Sequence, residues 1–170
     1  MTITAETHTE PFVNAASSAT LYNRIVTVLI AGAFSTVAFD FFGQSLSPAL
    51  GFAALAPVGL ANQVISTVFG SGWRPGAEAL HYFAGMIAYP VGWVFIVEPL
   101  RRAVAPFVHW SIAAVVYGTV LWAFALYGMA HLIAGNPLFL GFTGITWVAL
   151  VGHILFAIVT AVVMQIREAR

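Results

Sequence analysis

The sequence contains no cysteine, which excludes disulfides, thiolate metal centres and iron–sulfur clusters and leaves histidine and carboxylate side chains for any metal ligation. Charge is nearly as scarce. Asp, Glu, Lys and Arg make up 7% of the chain and balance to zero net charge, against about 25% charged residues in a soluble domain. No basic surface exists for nucleic acid, and that class of partner is set aside. The signatures of nucleophilic catalysis are missing too: there is no GxSxG and no SxxK, nor an HExxH for a metal hydrolase.

What the chain has instead is long uncharged stretches. Hydrophobic residues make up 61% of it and the mean hydropathy is +0.94. Between Arg24 and Arg74 the only charged residue is Asp40, and the 64 residues from Ala103 to Ile166 carry none. One span needs about 20 apolar residues, so the second stretch holds two. The pattern predicts an all-α, polytopic membrane protein with four transmembrane helices in a bundle, spanning about 25–46, 78–97, 106–133 and 143–166. Ser47-Pro48 closes the first span, Pro90 predicts a kink in the second, and Gly135-Asn136-Pro137 marks the turn after the third.

Residues 1–22 read as a disordered cytoplasmic tail, polar and without the basic region of a secretory signal, ahead of a membrane domain over 23–170. The segment 48–77 is apolar but broken by Gly51, Pro57, Gly59, Gly70, Gly72 and Pro75. Within it Leu60, Val64, Ile65 and Val68 share one helical face and Asn62, Gln63 and Ser66 another, which predicts a short interfacial or re-entrant helix. Trp73 marks headgroup level there, and Trp93, Trp110, Trp122 and Trp147 read as belt or packing residues. With both termini cytoplasmic, Arg24, Arg101, Arg102, Arg167 and Arg170 fall inside and only Arg74 outside, as the positive-inside rule requires.

Each span carries a stripe of small and polar residues, including Thr36, Asp40 and Gln44 on the first and His81, Gly85, Ala88 and Gly92 on the second. Gly118, Ala125 and Gly128 form the stripe of the third, and Ala149, His153 and Thr160 that of the fourth. Such stripes let membrane helices approach closely. Counting about 1.5 Å per residue from the arginine-bearing ends puts Asp40, His81 and His153 within about two turns of one another. The expectation is a buried polar cluster of Asp40, Gln44, His81 and His153, with His153 facing Asp40.

Three roles stay open for that cluster. It can fix helix register as a structural hydrogen-bonded group. Asp40, His81 and His153 can ligate a divalent metal, or the imidazoles a b-type haem, although their difference in depth of about 7 Å argues against two axial ligands. Asp40 can also exchange a proton with His153 as part of a proton-coupled transport component, with His109 at the cytoplasmic end. Glu98 beside Arg101 and Arg102 reads as an interfacial ion pair, and the two arginines as an attraction for anionic lipid head groups.

The stretches HYFAGMIAYP with His81, VVYGTVLWAF with Tyr117-Gly118, and VGHILFAIV with Gly152-His153 together resemble the YagU-like group of four-span bacterial inner-membrane proteins. That resemblance implies a multi-pass protein of the bacterial cytoplasmic membrane without implying a mechanism. The short loops favour a structural or accessory subunit over an enzyme. Its partners would be membrane lipids and the helices of other membrane subunits.

Overall fold

A computed structural model of the chain describes residues 10–169. Four helices are long and apolar enough to cross a membrane: Thr20–Ala49, Arg74–Val104, Trp110–Ile133 and Gly144–Glu168, here spans 1 to 4. A further short helix covers Pro57–Phe69, and no strand occurs among the described residues. The chain is an all-α, multi-pass membrane protein. Phe34, Val37, Ile96, Val116 and Val151 point outward from the spans and are each more than half exposed, which is the surface that lipid chains cover.

Of the predicted tail, 1–22, only the second part lies among the described residues. Residues 1–9 lie outside the described residues, but helix begins at Glu10 and runs unbroken into span 1. Span 2 also outlasts the expected stop at Glu98-Pro99 and continues to Val104. Pro90 does not end it: the helix is wound as π-helix on both sides, over Ala84–Ala88 and Gly92–Val97, the kind of widening that accommodates a lost hydrogen bond.

Packing is tightest where glycine lets backbones touch. A Cβ on Gly32 would lie 2.1 Å from the Met86 carbonyl oxygen of span 2, and one on Gly118 would lie 2.6 Å from the Ile154 Cα of span 4. Span 4 is the central element, packed on spans 1 and 3. Toward the chain ends the core is filled by Val28, Trp93, Val94, Ala114, Ala157 and Ala161, with the Trp93 side chain fully buried. Ser35 and Thr160 add a buried hydroxyl pair between spans 1 and 4 at 2.7 Å.

That end is clamped by ionic contacts. Glu98 is fully buried and accepts from Arg101 Nε at 2.7 Å, Arg101 Nη2 at 2.8 Å and Arg102 Nε at 2.7 Å. Arg101 also donates to the Val108 carbonyl at 2.6 Å, Arg102 reaches Glu168 of span 4, and Arg167 donates to Thr27 of span 1 at 2.9 Å. Both arginines expected to draw lipid head groups are thus engaged by carboxylates, and their work is to tie three helix ends together. His109 begins span 3 as its cap, its Nδ1 accepting from the Ser111 amide at 3.4 Å.

At the opposite end the chain re-enters the bundle. Span 1 is π-wound over Phe42–Leu46, and the Gly43 carbonyl accepts from the Leu55 amide at 2.8 Å. Ser47 Oγ donates to the Ala53 carbonyl at 2.7 Å, closing the same turn. Leu55 therefore returns to the level of Gly43, within span 1, before the short helix starts at Pro57. Proline in the first turn and the left-handed Gly70 (φ +80°) just past the end set its limits. The helix is wedged against the start of span 2 and the end of span 3. Its buried face is Ala61, Val64 and Ile65, rotated from the predicted one, since Val68 is exposed and Gln63 accepts from Asn136 Nδ2 at 2.9 Å.

Gly32→Ala and Gly118→Ala should each lower stability by about 1–3 kcal/mol, whereas Gly128→Ala, whose Cβ would meet nothing closer than 3.6 Å, should not; thermal unfolding in detergent separates the cases. Glu98→Ala, which takes the carboxylate from Arg101 while Arg102 keeps Glu168, should cost about 1–3 kcal/mol in the same assay, and an unchanged midpoint would show that the clamp contributes nothing.

Candidate functional site

In the loop-side half the core does not fill. Phe39, Leu126, Ala149 and Phe156 belong to a second core cluster, and beside them lies a cavity of about 470 Å³ bounded by all four spans and the short helix. The wedge formed by the short helix holds spans 2 and 3 apart there. The π-wound stretches face it: Ala84, Gly85 and Ala88 from span 2, and Phe124, Ala125 and Met129 from span 3, line the cavity. π-helical turns are rare and recur at functional positions.

Phe83 and Phe124 also line the cavity and are each more than half exposed. They stand equally far along the chain from the loop-side ends of their spans. The wall is thus exposed at Phe83, Ala88 and Phe124 on spans 2 and 3, and also at Ala56, Gly59 and Gln63 on the short-helix side. The connection between spans 3 and 4 closes the cavity from the loop side. There Phe139, Leu140 and Phe142 adopt left-handed backbone with φ of 46°, 55° and 53°, a conformation that costs an ordinary residue roughly 1 kcal/mol or more. The turn is secured by Thr146 Oγ1 donating to the Phe139 carbonyl at 2.5 Å and Thr143 Oγ1 to the Leu140 carbonyl at 3.1 Å. Phe139 stacks on Trp122 with centroids 4.7 Å apart, and Leu140 reaches the cavity wall.

The expected four-residue cluster divides in two. His81 Nε2 lies 3.0 and 3.1 Å from the Asp40 carboxylate oxygens, and Gln44 Nε2 donates to Asp40 Oδ1 at 2.8 Å. Carboxylate oxygens accept, so the proton of this contact is on His81 Nε2. These three make one group joining spans 1 and 2. His153 is not part of it, which corrects the expectation that it faces Asp40. Its Nδ1–H donates to the Ala149 carbonyl of its own helix at 2.7 Å, and its ring meets Phe39 edge-on at 5.0 Å. The same Phe39 ring lies 6.4 Å from His81. Phe39, next to Asp40 in the sequence but on another face of the helix, thus stands against both imidazoles.

The three-ligand metal site expected from Asp40, His81 and His153 is therefore not assembled. Among the described residues no group of three or more His, Cys, Asp or Glu side chains is placed to hold a metal ion. Glu78, one turn before His81, is turned to Arg74 at 3.1 Å. His131 donates from Nδ1 to the Asn136 carbonyl at 2.8 Å and serves the end of span 3. Sequence reasoning found His81 and His153 but missed the cavity they both line, and with it Tyr89, whose carbonyl accepts from the Tyr117 hydroxyl at 2.7 Å.

A double-mutant cycle on stability should give a coupling of about 0.5–3 kcal/mol between Asp40→Asn and His81→Phe, and additivity within about 0.5 kcal/mol between Asp40→Asn and His153→Phe. The reverse ranking would restore the sequence-based pairing.

Searched against known proteins, the chain matches no family model, no curated protein and no solved structure.

Proposed function

We propose that this chain is a small accessory protein of the bacterial cytoplasmic membrane that holds a neutral, lipid-like molecule among its spans. The observation that carries the reading is the cavity of about 470 Å³, lined chiefly by apolar side chains, with Phe83 and Phe124 of its wall on the exposed faces of spans 2 and 3. Binding sites for small molecules are concave, mostly apolar and furnished with a few polar groups, and this one fits that description in size and composition. Among the described residues no Asp, Glu, Lys or Arg lines it, so a charged head group would be buried without a partner, at a cost of several kcal/mol.

Orientation follows from charge. Arg24, Arg101, Arg102 and Arg167 cluster at the end bearing the termini and Arg74 stands at the other, which supports a cytoplasmic location for that end. His81 and His153, two of the positions behind the YagU-like resemblance, both line the cavity. Tyr117, the third, bonds to Tyr89 in its wall. The alternatives gain less support. Haem propionates would find no cation beside the cavity, and the second imidazole is committed to Asp40. The hydrogen-bonded group around Asp40 extends only to Gln44 and His81, which does not amount to a proton path.

The reading is tested by reconstituting the purified chain in nanodiscs, extracting it with organic solvent and comparing the extract by mass spectrometry with bulk membrane lipid. A neutral apolar molecule enriched to roughly one per chain is expected, and it should be lost from Ala84→Trp, which places a large ring in the wall. The same lipid profile from wild type, variant and bulk membrane would sink the proposal.

A further inference from the structure

We infer that the occupant of the cavity carries a hydroxyl group and docks it on His153 Nε2; the inference rests on the cavity reading above and specifies its ligand. His153 is 6% exposed, lies in the cavity wall, and has one of its two ring nitrogens accounted for. The Ala149 carbonyl can only accept, so the hydrogen bond at 2.7 Å fixes the proton on Nδ1. A neutral imidazole with Nδ1 protonated presents a lone pair at Nε2. Among the described residues no side chain or backbone group donates to that atom.

An acceptor left without a donor in an apolar wall costs free energy, and a membrane interior offers no water to supply one. The occupant is therefore selected for a donor. It must be neutral, because no charged side chain lines the wall, and largely apolar, because the wall is. It must also place its donor beside His153. An aliphatic or isoprenoid alcohol meets these conditions, and a hydrocarbon or an ether does not. The remaining polar groups are less suited. Gln63 and Asn136 bond to each other, and His81 directs Nε2 at Asp40. Thr36, whose buried hydroxyl has no partner among the described residues, and Tyr89 are the competing hydroxyls in the wall.

The test uses two isomers, 1-dodecanol and methyl undecyl ether, which match in composition and differ in the ability to donate. Binding is read from the thermal unfolding midpoint by tryptophan fluorescence in nanodiscs, as a function of each probe's measured mole fraction in the lipid. For the wild type the alcohol should bind about three- to tenfold more tightly, the difference one hydrogen bond makes. In His153→Phe that preference should vanish while the ether binds as before, and in Tyr89→Phe and in Thr36→Val it should persist. Equal binding of the two isomers by the wild type overturns the hydroxyl assignment and leaves the cavity reading standing; binding of neither overturns the cavity reading itself. A preference that survives in His153→Phe and disappears in Tyr89→Phe or in Thr36→Val moves the docking point and overturns the role of His153. Should His153→Phe not fold, ¹⁵N NMR of the wild type decides: the Nε2 resonance of His153 moves upfield with the alcohol and stays still with the ether, and a resonance indifferent to both refutes the inference.

Discussion

The hydrogen bond from the Leu55 amide to the Gly43 carbonyl is the contact from which the loop-side half of this protein is built. An α-helix in lipid keeps its carbonyls for itself, because nothing outside can bond them. Span 1 departs from that rule over Phe42–Leu46, where π winding releases the Gly43 carbonyl to a partner outside the helix. The partner is a segment of non-helical chain, which has unpaired groups of its own and can sit at membrane depth only against protein. Each side thus satisfies the other. Because Leu55 is brought back to this level, the short helix at Pro57 starts inside the bundle and spans 2 and 3 cannot close on each other there.

The two halves of the bundle are consequently packed by different rules. In the half nearer the chain ends, glycine and alanine bring the helices close, Trp93 fills the residual space, and a buried carboxylate fastens span 2 to its neighbours through two arginines. Lipid does not drive helices together as water does, so such contact must come from fit and from polar bonds. In the other half the space created by the wedge is left open between aromatic walls. A void lined by Phe39 and Phe156 forgoes dispersion contacts on one side, and the proposed lipid-like occupant would restore them. Rigid packing at one end and an adaptable cavity at the other are therefore complementary: the first supplies the stability that the second forgoes.

Much of the architecture was legible in the sequence. The four spans follow from hydropathy alone, since every stretch of sufficient length and apolarity became one. Glu98 with its arginines was readable from i,i+3 and i,i+4 spacing. The short helix was announced by its punctuation, Pro57 and Gly70, although its buried face depended on a contact between Gln63 and Asn136 across more than seventy residues. Three things left no local signal. The left-handed turn at Phe139, Leu140 and Phe142 uses residues with no preference for that conformation, held by Thr143, Thr146 and Trp122. Ser35 resembles any other small helical residue until Thr160 is placed opposite it. The cavity is a property of the gaps between elements, which no single segment encodes.

The division of the histidines shows why depth alone misleads. Counting residues put Asp40 and His153 at similar levels, and that much was sound, because Phe39, the residue before Asp40, does touch His153. Rotation about the helix decides the rest: adjacent residues point about 100° apart, so if Phe39 faces span 4, Asp40 faces elsewhere, and span 2 supplies its partner in His81. With Asp40 taken, His153 meets its own needs within its helix, at the Ala149 carbonyl. That choice has a chemical consequence. An imidazole paired with a carboxylate holds its proton on the shared nitrogen, whereas one that donates backward along its own helix turns a bare lone pair outward. The same residue type thus appears twice around one cavity in two different states, His81 as a donor anchoring two spans and His153 as an acceptor facing the space between them. Phe39, set against both rings, is the side chain that keeps the two environments distinct.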